Sequence, residues 1–219
     1  MVNSMSTIVL NNEAPSIQYL CCRDKRLAKV ISMVGPIEYT AHIDDPYAFL
    51  VHEIIEQMLS IKAGAVIYGR LSTLCNGSVT PEAIDSLSIE QIRSTGTSST
   101  KASYIKDMTS KVLSGDLIFS ELSNLSDDDV MKNLLSLRGI GRWTAKMYLI
   151  FVLDRQDILP YEDVAFLQAY EWMYKTTDRS KESITNKCKK WRPYSSIAAR
   201  YLYRALDMGL TKNEFHLHK

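Results

Sequence analysis

The residues with the clearest capacity for chemistry form a short turn between two apolar segments. Gly139-Ile140-Gly141 separates LLSL from RWTAKMYLIF, a pattern that predicts a helix, a tight turn and a second helix. Glycine permits the positive φ that such a turn requires and lets another molecule come close to the backbone. The N–H groups of the turn and of the second helix's first residues are suited to holding a phosphate. The alternative is a tight turn between helices with no ligand, which a Gly-x-Gly triplet alone favours.

Asp163 is the second residue of interest, twenty residues after Trp143 in the string DILPYEDVAFLQA. Leu159-Pro160 ends an extended approach, so Asp163 opens the next helix or lies just inside it. An isolated aspartate at such a position is most often an N-cap or a partner of the helix dipole. Glu162 directly precedes it, and this neighbouring carboxylate is the alternative for any chemical role.

The elements that must position these residues are helices. Asp45-Pro46 and Thr80-Pro81 each pair a cap with a proline at the first helical position. Ser60 could cap a helix after YAFLVHEIIEQML, and residues 88–91 have capping-box spacing. Only TIVL near the N-terminus has the character of a strand. The chain is therefore predicted to be all-α, with roughly ten helices.

The remaining helices follow from the same start and stop signals. They are predicted from about Ser99 to Leu113, from Ser126 onward, from Arg142 through the apolar RWTAKMYLIFVL, and over about 161–174, 181–191 and 194–208. Gly209 is expected to end the last of them.

The composition predicts one globular unit, which could be divided into two lobes. The 219 residues are 46% hydrophobic, which is enough to bury a full core. We find no run of eighteen apolar residues, and the first residues lack the features of a secretory signal. These observations predict a cytosolic protein, or a nuclear one in a eukaryote, that does not contact membranes. The four cysteines show no CxxC spacing and are expected to be reduced structural thiols.

The formal net charge of +1 does not by itself indicate a nucleic-acid-binding protein. A local positive surface is available between residues 175 and 204, unless those cations merely form the solvated face of helices. The cations are Lys175, Arg179, Lys181, Lys187, Lys189, Lys190, Arg192, Arg200 and Arg204.

The hairpin, the apolar helix, the Pro-x-x-Asp string and the helix after it together resemble the helix-hairpin-helix DNA glycosylase superfamily. Three further segments are similar to its 3-methyladenine DNA glycosylase II branch: HEIIEQMLSIKAGAVIYGRL, IRSTGTSSTKASYIKDM and WRPYSSIAARYLYRAL. The similarity runs from about residue 20 to residue 208. It implies one glycosylase unit over residues 1–219 with an active-site cleft between two helical lobes. The central lobe would span about 45–150 and include the hairpin, and the second would combine about 1–44 with 151–219.

The resemblance also implies roles for individual residues. It places Asp163 at the catalytic aspartate and Met58 at the wedge that enters the duplex, and it places Trp143 and Tyr203 in the base pocket. For Met58 and the two aromatic residues, ordinary core packing is the alternative. The hairpin residues expected to contact the DNA backbone are Gly139, Ile140, Gly141, Arg142 and Thr144.

The activity implied is release of alkylated purines from double-stranded DNA by a monomeric enzyme. The substrate would be 3-methyladenine, with 7-methylguanine second, and the product an abasic site. Trp143 stands where strand-cleaving members carry a lysine, so lyase activity is not expected; Lys146, one turn further on, is a weak candidate. A four-cysteine cluster is missing from the sequence, which argues against an iron–sulfur cluster. We expect no cofactor and no metal for the chemistry, although hairpin carbonyls could hold a monovalent cation.

Two alternative functions remain at this point. A non-catalytic DNA-binding protein could use the same hairpin to hold the DNA backbone without any need for Asp163. An all-α protein with no nucleic-acid role would use the Gly-Ile-Gly triplet only as a turn.

Overall fold

The computed structural model describes residues 7–40 and 45–217, and it is predominantly helical, as the sequence predicts. The helices are α1 (Pro15–Arg23), α2 (Lys25–Val34), α3 (Pro46–Glu56), α4 (Ile61–Leu74), α5 (Pro81–Asp85), α6 (Ile89–Ser94), α7 (Ser99–Leu113), α8 (Phe119–Leu122), α9 (Asp127–Leu135), α10 (Arg142–Phe151), α11 (Val164–Tyr174), α12 (Lys181–Cys188) and α13 (Ser195–Asp207). Short 3-10 helices cover Lys189–Trp191 and Leu210–Lys212, and strands β1 (Ile8–Leu10) and β2 (Ile37–Tyr39) pair antiparallel.

Contacts along the chain divide it into two compact units. Unit 1 combines Met1–Ala41 with Asp154–Lys219, and unit 2 is His42–Leu153. The lobes expected from the sequence, about 45–150 and about 1–44 with 151–219, differ from these units by a few residues at each boundary. Unit 1 is therefore built from two separate stretches of chain, whereas unit 2 is continuous.

Serine and threonine caps start most helices of unit 2. In each case the side-chain oxygen accepts a hydrogen bond from a backbone N–H in the first turn, which stabilises the helix by about 1 kcal/mol. The capping residues are Ser60 for α4, Thr80 for α5, Ser88 for α6, Ser98 for α7 and Ser126 for α9. The capping box predicted at Ser88 and Gln91 is present in full.

The core of unit 1 surrounds α13, which packs on α2 and α11. Asp24 joins these elements, because its buried carboxylate caps α2 and accepts hydrogen bonds from the Tyr174 hydroxyl and from the Trp191 indole at 2.9 Å. Lys190 adds an ion pair at 3.1 Å. Although burial opposes ionisation, these hydrogen bonds hold the pKa of Asp24 below its usual value. The network fixes the N-terminal helices of the unit against its C-terminal half.

Several elements differ from the sequence-based expectation. Helices α1, α2 and α8 and strand β2 are present but were not predicted, while β1 falls within the TIVL stretch that was. The helix expected from about residue 161 begins at Val164, and α3 ends at Glu56, before the end of YAFLVHEIIEQML. The early end of α3 has a local cause, since its C-cap Gln57 has an extended ψ of 127° and Met58 after it takes a left-handed conformation with φ of 60°.

Candidate functional site

The hairpin of unit 2 is a tight link between α9 and α10. The Ile140 N–H donates to the Leu137 carbonyl at 3.2 Å, and Gly139 has φ of 85°. A Cβ at Gly139 would lie 2.2 Å from Cδ2 of Tyr104, so a larger residue fits neither the backbone conformation nor the space. The structure thus gives the first glycine of the triplet the role that the sequence suggested for a tight turn.

The second glycine leaves the start of α10 open. Gly141 is the N-cap of α10 with φ of −96°, and having no side chain it cannot cap the first N–H groups of the helix. It is exposed, and a Cβ built there would meet nothing within 4 Å. Amide N–H groups at the positive end of a helix dipole are suited to a phosphate oxygen. This geometry is compatible with the backbone-binding role expected of the hairpin, which stays a prediction.

The five predicted hairpin residues offer different atoms to a partner. The side chains of Ile140 and Thr144 are buried in unit 2, so only their backbone groups are available to DNA. Arg142 is exposed at the first position of α10 and can present its guanidinium to a phosphate. Gly139 and Gly141 contribute backbone alone. Sequence reasoning found the segment but could not separate side-chain from backbone contributions.

Met58 lies in the loop between α3 and α4, which we define as the wedge loop, residues 57–60. Its side chain is fully exposed and its φ is 60°. Leu59 and Ile61 beside it are exposed as well, at 41% and 83%. Core packing, the alternative for Met58, does not occur. The loop instead presents apolar side chains to solvent, as a duplex wedge requires.

Trp143 lies in the first turn of α10 and is partly buried in unit 2. Lys146 follows one turn later on the same helix and is also partly buried. Trp143 follows the hairpin turn closely in the sequence, and its side chain is neither fully buried nor fully exposed. This position is compatible with the predicted role of Trp143 in a base pocket.

Asp163 is the N-cap of α11 in unit 1. Its Oδ1 accepts a hydrogen bond from the Phe166 N–H at 2.7 Å, and the residue is 8% exposed. The capping role, which was the alternative for a lone aspartate, is thus real. It holds the carboxylate in one orientation at the start of a buried helix. Glu162 is less buried than Asp163, and the structure favours Asp163 as the fixed carboxylate of the pair.

Tyr203, on α13, lies beside Asp163. Burial and the negative charge of Asp163 raise the pKa of the Tyr203 phenol well above its usual value, while the charge of Arg200 acts in the opposite direction. The phenol therefore stays neutral at physiological pH. The structure brings together two residues, predicted separately as the catalytic carboxylate and as part of the base pocket.

A cluster next to this pair was not predicted. Arg200 is buried; its guanidinium donates to Asp154 at 3.1 Å and lies 3.8 Å from the ring centroid of Tyr39. The Tyr39 hydroxyl donates to the same carboxylate at 2.9 Å. Sequence reasoning counted Arg200 only as part of a basic segment. The signal that was available was its position one helical turn before Tyr203, among the apolar residues of α13.

The basic segment of residues 175–204 is less positive than its composition suggests. Five of its nine predicted cations form ion pairs within unit 1. These pairs are Lys175–Glu214, Arg179–Glu171, Lys190–Asp24, Arg192–Asp157 and Arg200–Asp154. Because carboxylates of the protein balance these five charges, only a small positive surface of the segment remains for phosphates.

Metal sites, disulfides and membrane-spanning helices are absent from the described residues. Across residues 7–40 and 45–217, no group of three or more His, Cys, Asp or Glu side chains is arranged to hold a metal ion. The thiols of Cys21, Cys22, Cys75 and Cys188 are free. In the same part of the chain, no helix combines the length and apolar character needed to span a bilayer.

A profile of the HhH-GPD superfamily of base excision DNA repair proteins matches residues 51–193, from α3 through the hairpin, Asp163 and the approach to α13. The chain belongs to this superfamily. The match covers both the hairpin of unit 2 and the capping aspartate of unit 1, so the two regions singled out above are parts of one family pattern.

Individual relatives agree with the HhH-GPD assignment. DNA-3-methyladenine glycosylase 1 of Schizosaccharomyces pombe is 29% identical over 189 residues, which are 84% of this chain and 82% of that protein. A crystal structure of DNA-3-methyladenine glycosidase from Bacillus halodurans superposes with a TM-score of 0.83 at 32% identity, covering 96% of this chain and 97% of that one. The Schizosaccharomyces pombe 3-methyladenine DNA glycosylase in complex with abasic DNA has a TM-score of 0.80 at 26% identity, covering 89% and 97%.

These findings confirm the family and the fold class expected from the sequence. The chain is a base-excision-repair glycosylase of the HhH-GPD superfamily with a mostly helical fold. An all-α protein without a nucleic-acid role, one of the two alternatives, is thereby excluded.

Proposed function

We propose that this glycosylase hydrolyses the N-glycosidic bond of alkylated purines in double-stranded DNA and leaves an abasic site. Its substrates are 3-methyladenine first and 7-methylguanine second. The observation that carries the proposal is the buried Asp163 carboxylate, fixed by the Phe166 N–H and lying beside Tyr203. The names of the relatives, which are 3-methyladenine glycosylases, support the substrate class.

Access to the damaged base requires its rotation out of the duplex, at a cost of a few kcal/mol. The exposed Met58 is suited to fill the space that the nucleotide leaves and so to offset part of that cost. The hairpin, with Gly141 open to approach and Arg142 exposed, holds the backbone nearby. Binding and extrusion are thus assigned to unit 2.

The base pocket uses aromatic faces. A purine alkylated at a ring nitrogen is cationic, so stacking on Trp143 or Tyr203 adds a cation–π attraction of roughly 1–2 kcal/mol where water is excluded. Because the Tyr203 phenol stays neutral, it can donate a hydrogen bond and presents no second negative charge. This arrangement favours damaged, cationic purines over normal ones.

Bond cleavage then needs little acid assistance, because the cationic base is a good leaving group. As the C1′–N bond breaks, the base takes the bonding electron pair and the sugar gains oxocarbenium character. An ionised Asp163 stabilises that cation and orients the attacking water, whose oxygen forms the new bond to C1′. Water, not a lysine, is the nucleophile, so the strand stays intact.

We propose that no cofactor takes part in the reaction. A monovalent cation at the hairpin remains part of the proposal. The Leu137 and Gly139 carbonyls each accept one hydrogen bond within the protein, and each carbonyl oxygen has a second lone pair. We further propose that the protein acts as a monomer at the DNA, in the nucleoid of a bacterium or the nucleus of a eukaryote.

The test is release of free base from methylated duplex DNA by the wild-type protein and by Asp163→Asn, with strand breaks scored before and after alkali. We expect 3-methyladenine release by the wild type alone and breaks only after alkali. Breaks before alkali would show lyase activity. Glu162→Gln is the matched control and should retain activity.

The non-catalytic alternative predicts a different result. A protein that only holds DNA would bind duplex equally well as wild type and as Asp163→Asn, with no base released by either. That outcome would overturn the alkylpurine assignment.

A further inference from the structure

One side of α7 contacts both elements of unit 2 that are directed at DNA. Lys101, Tyr104 and Asp107 are spaced by three residues, so they follow one another along the same side of the helix. Lys101 reaches the wedge loop, whereas Tyr104 and Asp107 reach the hairpin.

Lys101 holds the C-terminal end of α3. The last carbonyls of a helix have no partner within the helix. The Lys101 ammonium fills this need by donating to the Ile55 carbonyl at 2.8 Å and to the Gln57 carbonyl at 2.6 Å. A positive charge at this end also suits the helix dipole. The lysine therefore fixes the backbone on the residue directly before Met58.

The hairpin is held from the same helix. The ring of Tyr104 occupies the space beside Gly139, where a Cβ would come within 2.2 Å of it. Asp107 accepts a hydrogen bond from Arg138 at 2.5 Å, and the Arg138 guanidinium lies 5.4 Å from the Tyr104 ring centroid. These contacts set the position of the turn relative to α7.

A direct tie joins the two elements. The side-chain amide of Gln57 donates to the Gly139 carbonyl at 2.8 Å. Gln57 is thus held through its own carbonyl by Lys101 and through its side chain by the hairpin. Met58 follows in a left-handed conformation that a non-glycine residue keeps only when its surroundings hold it there.

We propose that Lys101 is a positioning residue for base extrusion: it holds the wedge loop so that Met58 projects at a fixed distance from the DNA-gripping hairpin. This role rests on the proposed glycosylase function. Lys101 acts through Met58 and does not itself touch the damaged base. Without its ammonium the carbonyls of α3 lose their donor, the loop relaxes, and the wedge enters the duplex less often.

The test uses three variants of the full chain. Lys101→Met removes the ammonium and keeps the apolar stem, and Lys101→Arg keeps a cationic donor. Lys106→Met is the matched control, because Lys106 is on the same helix and donates to the Ile84, Asp85 and Leu87 carbonyls at the end of α5, away from the wedge loop. Should Lys101→Met fail to fold, Lys101→Gln replaces it as a milder change.

Two readouts separate positioning from stability. Wedge entry is followed by the fluorescence of 2-aminopurine placed beside a tetrahydrofuran abasic-site analogue, since unstacking raises its emission. Catalysis is followed as single-turnover release of 3-methyladenine at saturating enzyme, together with the duplex Kd. Circular dichroism melting reports the stability of each variant.

For Lys101→Met we expect a smaller fluorescence rise and a single-turnover rate lower by about tenfold or more, because the two charge-assisted hydrogen bonds to the Ile55 and Gln57 carbonyls are lost. The Kd should change little, because the hairpin remains. Lys101→Arg should recover most of the rate. Lys106→Met should lower the melting temperature and leave both readouts at wild-type values.

The proposal is overturned if Lys101→Met gives the wild-type fluorescence and rate, or if Lys106→Met loses both to the same degree. A wild-type protein that produces no fluorescence rise also overturns it. The proposed substrate can fail separately. If the wild type releases no methylated base but raises the fluorescence, and Lys101→Met does not, then the substrate assignment falls and the positioning role stands.

Discussion

In the proposed reaction, Asp163 serves the fold and the chemistry with the same carboxylate. It caps α11 through the Phe166 N–H, and it faces Tyr203 on α13. A proposed catalytic group that is also a helix cap has its orientation fixed in part by the helix that it caps. As a consequence, many substitutions at Asp163 would lower the stability of the protein and its activity together.

Asparagine and alanine at position 163 separate these two effects. Asparagine caps helices as well as aspartate does, so Asp163→Asn should melt close to the wild type. Asp163→Ala should lose about 1 kcal/mol of unfolding free energy. Both variants should lose at least about a hundredfold in excision rate, since each lacks the charge that stabilises the sugar cation. Chemical denaturation and single-turnover assays on the same samples measure the two effects. Equal stability of the two variants would contradict the cap.

The pKa of His52, on α3, leads to a second prediction for a single residue, which concerns the dependence of stability on pH. The carboxylates of Glu53, 3.6 Å from Nδ1, and of Glu56, 3.3 Å from Nε2, raise the pKa of His52, and burial opposes this. Because the folded pKa lies above the unfolded one, the stabilisation is complete below the unfolded pKa, near 6.5. It is lost as pH rises through the folded value.

Melting of the wild type and of His52→Gln at about pH 5.5 and about pH 8.5 tests this. The wild type should be the more stable of the two at the lower pH, and the difference should shrink at the higher pH. A constant difference would show that His52 contributes packing against Tyr68 rather than charge.

At the scale of an element, alanine substitutions at the two hairpin glycines should have opposite effects. One should lower stability, and the other should weaken DNA binding. Gly139→Ala puts a Cβ into the Tyr104 ring at a φ of 85°, where L-residues pay about 1–2 kcal/mol in addition to the clash. Gly141→Ala meets nothing within the protein, so its stability should be unchanged. Its duplex Kd should nevertheless rise, by about tenfold, if the DNA backbone comes close to this residue.

Gly77→Ala is the control for the strain alone, because Gly77 has φ of 89° and open space around it. It should lower the melting temperature and leave DNA binding intact. Wild-type affinity of Gly141→Ala would mean that the DNA backbone does not approach this turn. Fluorescence anisotropy with a labelled duplex supplies the binding values.

Helix starts were predictable from the sequence because their chemistry is local. Ser60, Thr80 and Ser126 cap helices with atoms only three residues away, and the structure has each of them in place. Helices α1 and α2 were missed although Pro15 and Asp24 offered the same kind of signal. Strand β2 offered no comparable signal, because it depends on pairing with β1, which lies far away in the sequence.

The residues of the candidate site also differ in whether the sequence could predict them. Met58 and Asp163 could be located because a family pattern fixes their spacing along the chain. The hydrogen bonds of Lys101 and Gln57 could not be predicted from the sequence, because they join residues more than forty positions apart. Nor could composition reveal that Arg192 and Arg200 are neutralised by Asp157 and Asp154. Long-range pairing decides which charges remain for DNA.

For the whole molecule, this internal pairing predicts a weak dependence of binding on salt. A net charge of +1 and five paired cations in the basic segment leave few charges to displace counterions. We expect log K to fall against log salt with a slope no steeper than about −4, which corresponds to about four neutralised phosphates. Anisotropy titrations between about 50 and 200 mM salt give the slope. Arg142→Gln should make it shallower by about one, whereas a slope near −8 would contradict a grip that relies on backbone amides.

The division of unit 1 into two stretches has a consequence for the order of events during synthesis. Unit 2 is complete once Leu153 has left the ribosome, and it can fold while the rest of the chain is still being made. Leu20, Leu27 and Val30, by contrast, must wait with their apolar faces uncovered until α13, near the end of the chain, arrives to bury them. The unit that carries the hairpin is therefore completed first during synthesis, and the unit that carries Asp163 is completed last.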